Sequence, residues 1–298
     1  MPATLTTIGF IGTGVMGLPM AGHLFKAGYP LNVYNRTADK LAPLLEQGAQ
    51  RMNSPAEVAA ASDVIITMIG YPSDVERVYL GEQGLIGNAK PGTTLIDMTT
   101  SSPALAKQIY EAARERGIHT LDAPVSGGDI GARNAALSIM VGGDEDVFSR
   151  MLPILQTMGT RIERQGGAGA GQHTKMCNQI AIASGLLGVS EAILYAEKAG
   201  LDPAQVLKSI ESGAAGSWSL SNLGPRMIAG NFAPGFYIKH FIKDMKIALE
   251  SAQGMGMLSP GLQLVLGMFE RMAEAGEENY GTHALYRWLK QQSESAQA

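Results

Sequence analysis

The chain contains one cysteine, and only 17% of its 298 residues are charged. A single cysteine excludes a disulfide framework and a cysteine-based zinc site. Positive charge is not in excess, because 23 basic residues stand against 27 acidic ones, so binding to the nucleic-acid backbone is not expected. No uninterrupted apolar run reaches the roughly 18 residues of a membrane helix, and the N-terminus lacks a secretory signal pattern. These absences predict a cytoplasmic protein that binds neither nucleic acid nor membranes.

Apolar residues are abundant, at 45% of the chain, so a large core can be buried, and the length is typical of about two domains. In the first half, short apolar runs alternate with helix-like stretches of about 10–15 residues, which predicts an α/β domain with a mainly parallel sheet. The predicted strands are Thr7–Ile11, Leu31–Tyr34, Val64–Ile69, Thr94–Met98, one beginning at Thr120–Asp122, and Ser138–Val141.

The pattern changes at the glycine-rich segment 166–171, which predicts a flexible break. Beyond it, β-branched runs are scarce and a long helix is predicted from Gln172 to Ala199, followed by four further helices. We therefore predict a first domain over residues 1–166 and an all-α second domain over residues 167–298, joined by the long helix.

The turn after the first predicted strand has the G-x-G-x-x-G spacing of dinucleotide-binding proteins. It consists of Gly12, Thr13, Gly14, Val15, Met16 and Gly17. A glycine-rich chain can produce this spacing by chance, but here it follows a strand and opens a helix, which favours a Rossmann-type domain. The first glycine permits the tight turn, the second lets a pyrophosphate approach, and the third allows close helix–strand packing. The helix N-terminus then offers N–H groups to the phosphates.

The second predicted strand ends at Asn35, Arg36 and Thr37. NAD-binding domains place an acidic residue near this point to hold the ribose hydroxyls. A guanidinium instead suits a 2′-phosphate, so Arg36 predicts a preference for NADP(H), with Asn35 and Thr37 as hydrogen-bond partners. NAD(H) use stays open, because an exposed arginine unrelated to the cofactor is the alternative.

The segment Ser126-Gly127-Gly128 follows the fifth predicted strand at the sheet edge where α/β domains bind ligands. A serine followed by two glycines exposes a hydroxyl and backbone N–H groups, an arrangement that suits a carboxylate. An ordinary strand-end turn is the alternative.

The start of the long helix carries Lys175, Asn178 and Gln179 on one face. A solvated lysine is the alternative to a site residue. Cys177 lies about 200° round the helix from Lys175 and is predicted to be a buried core thiol.

Two later segments also stand out: Trp218 lies among small polar residues, and Lys243 and Asp244 lie in a charged helix start. By composition alone, each favours a core or a solvated face. His173 and His240 have no third ligand at metal spacing, so no metal site is predicted.

Together these segments resemble the β-hydroxyacid dehydrogenase family, also called the 3-hydroxyisobutyrate dehydrogenase family. The resemblance runs from Ile8 to about Trp288 and includes four motifs in the same order. The motifs are the glycine-rich turn with its continuation to Ala21, residues 122–128, residues 171–178, and the Lys243-Asp244 pair.

The resemblance implies that Lys175 is catalytic. The substrate-binding positions that it implies are Ser126, Gly127, Gly128, Asn178, Gln179, Trp218, Lys243 and Asp244. Members differ in whether asparagine occupies position 178 or 179, which leaves the division of roles between Asn178 and Gln179 open. Further implied cofactor-binding positions are Met68, Ile69, Thr100 and Lys243. The chain departs from the family at Ala135-Ala136, where a Gly-Thr pair is usual, and at Arg133.

The resemblance implies hydride transfer between the nicotinamide and a small carboxylate-bearing aldehyde acid, such as tartronate or succinic semialdehyde, and Arg36 favours NADP(H) as the cofactor. Alternatives are an NAD-dependent 3-hydroxyisobutyrate dehydrogenase and a non-catalytic NADP-binding module. Related imine reductases generally lack the lysine found here at position 175. Members are commonly homodimers or homotetramers.

Overall fold

The computed structural model describes residues 6–296. The chain divides into two compact units, Met1–Lys175 and Met176–Ala298, and the boundary falls within the long helix. The first unit is an α/β domain of Rossmann type and the second is helical, so the predicted fold class is confirmed.

The first unit contains a nine-stranded sheet. Its strands are β1 (Ile8–Ile11), β2 (Leu31–Tyr34), β3 (Gln50–Arg51), β4 (Val64–Thr67), β5 (Thr94–Asp97), β6 (His119–Asp122), β7 (Val125–Ser126), β8 (Leu137–Gly143) and β9 (Gly159–Gly166). Its helices are α1 (Gly17–Lys26), α2 (Ala42–Leu45), α3 (Pro55–Ala61), α4 (Pro72–Leu80), α5 (Leu85–Asn88), α6 (Pro103–Arg114), α7 (Gly128–Arg133) and α8 (Glu145–Leu155).

The strand order is β3-β2-β1-β4-β5-β6-β8-β7, and β9 pairs with β8. Strands β1 to β6 are parallel, whereas β8 is antiparallel to β6 and β7 and parallel to β9. The register aligns Ile11, Thr67, Asp97 and Asp122 in one row. The carboxyl ends of four neighbouring strands therefore lie side by side.

Strands β1, β4 and β5 are buried along their whole length, as expected for parallel strands covered on both faces. Their side chains alternate between two apolar clusters, one containing Phe10 and Ile66 and the other Ile11 and Ile65. Strand β9 is the main strand missing from the sequence prediction. Most of its residues are exposed, so the apolar alternation that signals a strand is absent.

The long helix α9 (Ala170–Lys198) leads into the second unit. The remaining helices are α10 (Pro203–Ile210), α11 (Trp218–Asn222), α12 (Gly224–Ile228), α13 (Ile238–Gly254), α14 (Pro260–Glu274) and α15 (Leu285–Ser295). Their core includes an edge-to-face pair of Phe241 and Phe269, with ring centroids 5.3 Å apart. By length and composition alone α9 could cross a membrane. It nevertheless carries the buried polar side chains Gln172, Gln179 and Ser190, as a core helix does.

Candidate active site

The glycine-rich turn is shaped by two glycines that cannot carry a side chain. Gly12 has φ +97°, and a Cβ there would overlap the carbonyl oxygen of Met68. A Cβ on Gly17 would overlap the carbonyl oxygen of Gly12. By contrast, no described atom lies within 4 Å of the Cβ position of Gly14. The turn is thus tightly packed on one side and open at Gly14, as a dinucleotide pyrophosphate requires.

The loops predicted to border the cofactor lie against this turn. The N–H of Met68 donates to the carbonyl oxygen of Ile11 at 2.9 Å. The N–H of Ile69 donates to Oγ1 of Thr99 at 3.0 Å, and Thr100 follows directly. Met68, Ile69 and Thr100 therefore belong to one loop edge at the carboxyl ends of β4 and β5.

The two polar residues that follow β2, Asn35 and Arg36, make different kinds of contact. Asn35 accepts from the N–H of Thr13 at 3.1 Å and donates to the carbonyl oxygen of Thr37 at 2.8 Å. Its amide thus ties the end of β2 to the glycine-rich turn. The side chain of Arg36 is 81% exposed, and its Nη1 lies 3.5 Å from Oδ1 of Asp74 on α4. Asp74 has no counterpart in the sequence prediction, because only the fold brings the start of α4 beside β2.

A buried polar network supports the ends of β4 and β5. Oγ1 of Thr67 donates to Oδ1 of Asp97 at 2.8 Å, and the N–H of Thr99 donates to the same oxygen at 3.0 Å. The hydroxyl of Tyr79 lies 2.9 Å from Oγ1 of Thr67. Burial and the nearby Asp97 carboxylate raise the pKa of Tyr79 well above its usual value, so Tyr79 acts as a neutral hydrogen-bonding group.

Asp122, at the end of β6, caps the N-terminus of α9. Its carboxylate accepts from the N–H of Gly169 at 2.7 Å and from the N–H of Gln172 at 2.8 Å. Burial raises the pKa of Asp122 to about 6, although these two hydrogen bonds act in the opposite direction. A Cβ on Gly142 would lie 2.5 Å from Oδ1 of Asp122, and a Cβ on Gly171 would overlap its backbone carbonyl oxygen. The cap therefore needs both glycines.

Gln172 provides a second attachment of the same helix end. Its side chain is fully buried, donates from Nε2 to the carbonyl oxygen of Thr99 at 2.7 Å, and accepts at Oε1 from the N–H of Ser101 at 2.9 Å. Lys175 follows one turn later and is 7% exposed. Asp122 and Gln172 thus fix the first turn of α9 against β5 and β6, and with it the position of Lys175. Sequence reasoning missed Gln172, because a buried glutamine has no local signature.

The predicted carboxylate loop has the backbone that its sequence suggests. Ser126 ends β7, and the next two residues have positive φ, +130° at Gly127 and +61° at Gly128. Gly127 is exposed, and Ser126 and Gly128 are half-buried. The loop is therefore partly exposed at the start of α7.

In the helical unit, four of the predicted site residues make one chain of contacts. Nζ of Lys243 lies 3.0 Å from Oδ1 of Asp244. Nε2 of Gln179 donates to Oδ2 of Asp244 at 2.6 Å, and Nδ2 of Asn178 donates to Oε1 of Gln179 at 2.7 Å. Gln179 and Asp244 are 1% and 2% exposed, so this polar chain is inside the unit and its members stabilise one another.

The structure also shows how exposed Cys177 and Trp218 are. Cys177 is exposed, so the prediction of a buried core thiol was wrong. The helix face on which it lies also carries Ala181, Ser184 and Gly188, which are exposed as well. Trp218, at the start of α11, is 59% exposed.

The comparisons with known proteins cover nearly the whole chain. Residues 7–167 match the family described as the NAD binding domain of 6-phosphogluconate dehydrogenase. Residues 169–289 match the family described as NAD-binding of NADP-dependent 3-hydroxyisobutyrate dehydrogenase. The chain belongs to the β-hydroxyacid dehydrogenase family. As a member of this family it is an NAD(P)-binding oxidoreductase that acts on CH–OH donors.

Three individual proteins illustrate the similarity. An uncharacterized oxidoreductase of Bacillus subtilis is 59% identical over 95% of this chain and 99% of its own length. The 2-hydroxy-3-oxopropionate reductase of Escherichia coli is 41% identical over 95% of this chain and 97% of its own. A structure of Mycobacterium tuberculosis 3-hydroxyisobutyrate dehydrogenase with L-serine has a TM-score of 0.88 and 31% identity, and covers 96% of this chain and 100% of that one.

Proposed function

We propose that this protein is an NADP(H)-dependent reductase of small aldehyde acids of the tartronate or succinic semialdehyde type, and that it also oxidises the matching hydroxyacids. The observation that carries the proposal is the buried Lys175, held one helical turn after an end of α9 that Asp122 and Gln172 fix in place. The name of the Escherichia coli relative, 2-hydroxy-3-oxopropionate reductase, supports this substrate class.

The glycine-rich turn fits a dinucleotide, because Gly14 is open where a Cβ on Gly12 or Gly17 would collide with the backbone. The residues that would hold the cofactor are those of the turn from Gly12 to Gly17 together with Arg36, Met68, Ile69 and Thr100. When bound, the nicotinamide supplies or accepts the hydride at the carbon of the substrate carbonyl or alcohol.

Lys175 supplies the proton in this proposal. In the reduction direction its ammonium group donates a hydrogen bond to the substrate carbonyl oxygen, stabilises the negative charge that develops there, and transfers a proton to it. In the oxidation direction the neutral amine accepts that proton from the hydroxyl. One such group typically contributes roughly 10²–10⁴-fold to the rate.

The substrate carboxylate is assigned to the loop of Ser126, Gly127 and Gly128, whose residues are exposed or half-buried. Asn178 lies three residues after Lys175 on α9 and hence on the same helix face. We assign Asn178 and Lys243 to the substrate as well. The mutual contacts of Gln179 and Asp244 favour supporting roles for these two residues.

The test is the initial rate of NADPH and NADH oxidation with a panel of three- to five-carbon aldehyde acids, and of the reverse reaction with 3-hydroxyisobutyrate and L-serine. Lys175→Ala is expected to lose roughly 10²–10⁴-fold in turnover and to keep its affinity for NADPH. Lys198→Ala, at the exposed other end of α9, is the matched control and should behave as wild type. Tight NADPH binding without turnover of any compound would point to the non-catalytic module.

The cofactor preference rests on Arg36. Arg36→Asp is expected to weaken NADPH binding by roughly 10–100-fold, since a charge-assisted hydrogen bond to the 2′-phosphate is lost, while NADH binding changes little. Arg150→Asp on α8 makes the same change in charge and should leave both affinities unchanged. An unaltered ratio of NADPH to NADH affinity in Arg36→Asp would refute the assignment and favour the NAD-dependent alternative.

We also propose that the protein is a homodimer or homotetramer assembled through its helical unit. Large apolar side chains are exposed there, among them Tyr195, Leu201, Leu258 and Leu264, and exposed apolar patches mark association surfaces. Light scattering coupled to size-exclusion chromatography tests this, and a monomer at micromolar concentration would contradict it.

A further inference from the structure

Asn178, Gln179, Lys243 and Asp244 form the polar chain described above, which we call the amide relay. We propose that Gln179 is a positioning residue that fixes the orientation of the Asn178 amide, and that it is not itself a substrate ligand. The inference rests on the proposed function, because it divides between two neighbouring amides the work of holding the substrate beside Lys175.

The hydrogen bonds of the amide relay have only one consistent direction. Asp244 pairs with Lys243 at 3.0 Å, and a carboxylate only accepts hydrogen bonds. The group of Gln179 that lies 2.6 Å from Oδ2 of Asp244 must therefore be its NH₂. Because an amide is planar, Oε1 of Gln179 points the other way, where it accepts from Nδ2 of Asn178 at 2.7 Å. The Asp244 carboxylate thus determines which atom of each amide donates and which accepts.

Burial disfavours the flipped orientation of the Gln179 amide. Gln179 and Asp244 are almost fully buried, so a flipped Gln179 amide would place its oxygen against a carboxylate oxygen with little water to compensate. Oε1 and one N–H of Gln179 are committed within the amide relay. Asn178 is half-buried, and its one contact within the amide relay is made by Nδ2, so Oδ1 and the second N–H are not used within the relay. Asn178 can therefore accept a hydrogen bond from a substrate hydroxyl and donate its second N–H to a carboxylate oxygen.

The substitution Gln179→Glu provides a reversible test. When protonated, the introduced carboxyl group would have one O–H donor for Asp244 and one acceptor for Asn178, the same pattern as glutamine. The ionised form has no donor and repels the Asp244 carboxylate, which raises the pKa of the introduced group. Relative to wild type, Gln179→Glu is expected to lose roughly 10–100-fold in kcat/KM near pH 8, as a misplaced site residue does. We expect most of this loss to be recovered near about pH 5.5.

The matched control is Gln179→Leu, which removes the amide but introduces no titratable group and should show no recovery at low pH. Rates are expressed relative to wild type at each pH. His240 lies one turn before Asp244 on α13, and its pKa is lowered by burial and by Lys243. His240, Lys243 and Lys175 are unchanged in every variant, so their effects largely cancel in the ratio. Equal pH dependence of both variants would overturn the proposal.

A double-mutant cycle tests whether Gln179 acts through Asn178. In an Asn178→Ala background, Gln179→Leu should change kcat/KM by less than about twofold, because coupled residues are not additive. A substrate ligand or a general stabilising residue would instead show its full effect in both backgrounds, which would refute the positioning role. NADPH affinity should be unchanged in every variant, and the fluorescence of Trp218 and Trp288, which lie in the same unit as the substitutions, reports on folding.

A final measurement does not depend on turnover. In Gln179→Glu labelled with ¹³C, the introduced carboxyl group should titrate well above its ordinary pKa of about 4.3. A pKa near that ordinary value would overturn the amide relay even if no substrate were found. Conversely, absence of turnover by wild type together with the raised pKa would count against the proposed function alone.

Discussion

Ala135 is the only described non-glycine residue with positive φ, at +53°. It follows Asn134, the C-cap of α7, in a Schellman motif, because the N–H of Ala136 donates to the carbonyl oxygen of Gly131 at 2.9 Å. This position normally carries glycine, since a Cβ in the left-handed region costs about 1–2 kcal/mol. Glycine also has a larger conformational entropy in the unfolded chain, and this lowers the stability of the folded state by roughly 0.4–1 kcal/mol. Ala135→Gly should therefore stabilise the α/β unit by about 1 kcal/mol.

The assay is differential scanning calorimetry, in which about 1 kcal/mol corresponds to a rise of roughly 2–4 °C in Tm for a unit of this size. Both tryptophans, Trp218 and Trp288, lie in the helical unit, so their fluorescence reports on the other unit and serves as an internal reference. Ala136→Gly is the matched control: with no positive φ to relieve, it should cost roughly 0.5–1 kcal/mol. If both variants lowered Tm alike, the reasoning would be refuted.

Two further predictions concern the N-terminus of α9. Burial raises the pKa of Asp122 to about 6 in the folded protein, so the folded state takes up this proton before the unfolded state does, and the residue's contribution becomes more favourable as pH falls. Between about pH 8 and about pH 4.5, the unfolding free energy of wild type should therefore gain about 2 kcal/mol relative to Asp122→Asn in urea titrations. A constant difference would mean that the hydrogen bonds cancel the effect of burial on the pKa, and a loss on acidification would mean that they outweigh it. Gly142→Ala, whose Cβ would lie 2.5 Å from Oδ1 of Asp122, should cost about 1–3 kcal/mol. Gly22→Ala, in the interior of α1 where no described atom lies within 4 Å, should instead gain roughly 0.5–1 kcal/mol, and equal effects of the two substitutions would contradict the packing argument.

The parts of the fold with strong local signals were predicted from the sequence. The apolar runs of β1, β4 and β5 are buried on both faces, so hydrophobicity alone marks them. Strand β9 and the two-residue strands β3 and β7 were missed, because they are polar or too short to show a period and are defined by their neighbours' hydrogen bonds.

The candidate site divides in the same way. Gly12, Gly17 and Gly127 could be singled out because their backbone geometry excludes other residues. Gln172 and Asp74 could not, because their partners lie far away in the chain. The exposed Cys177 shows the same limit, since helical periodicity gives the side of α9 on which it lies but not whether another element covers that side.

Local sequence was enough to define the α/β and helical halves, the dinucleotide-binding turn and the family, because each depends on residues that are adjacent in the chain or repeat at a fixed spacing. Three-dimensional packing was needed to learn that Asp122 caps α9, that Gln172 attaches it to the loop after β5, and that Gln179 connects Asn178 to Asp244. These contacts join residues 47 to 73 positions apart in the first unit and 65 apart in the second. Such pairings arise from packing, and no local pattern encodes them.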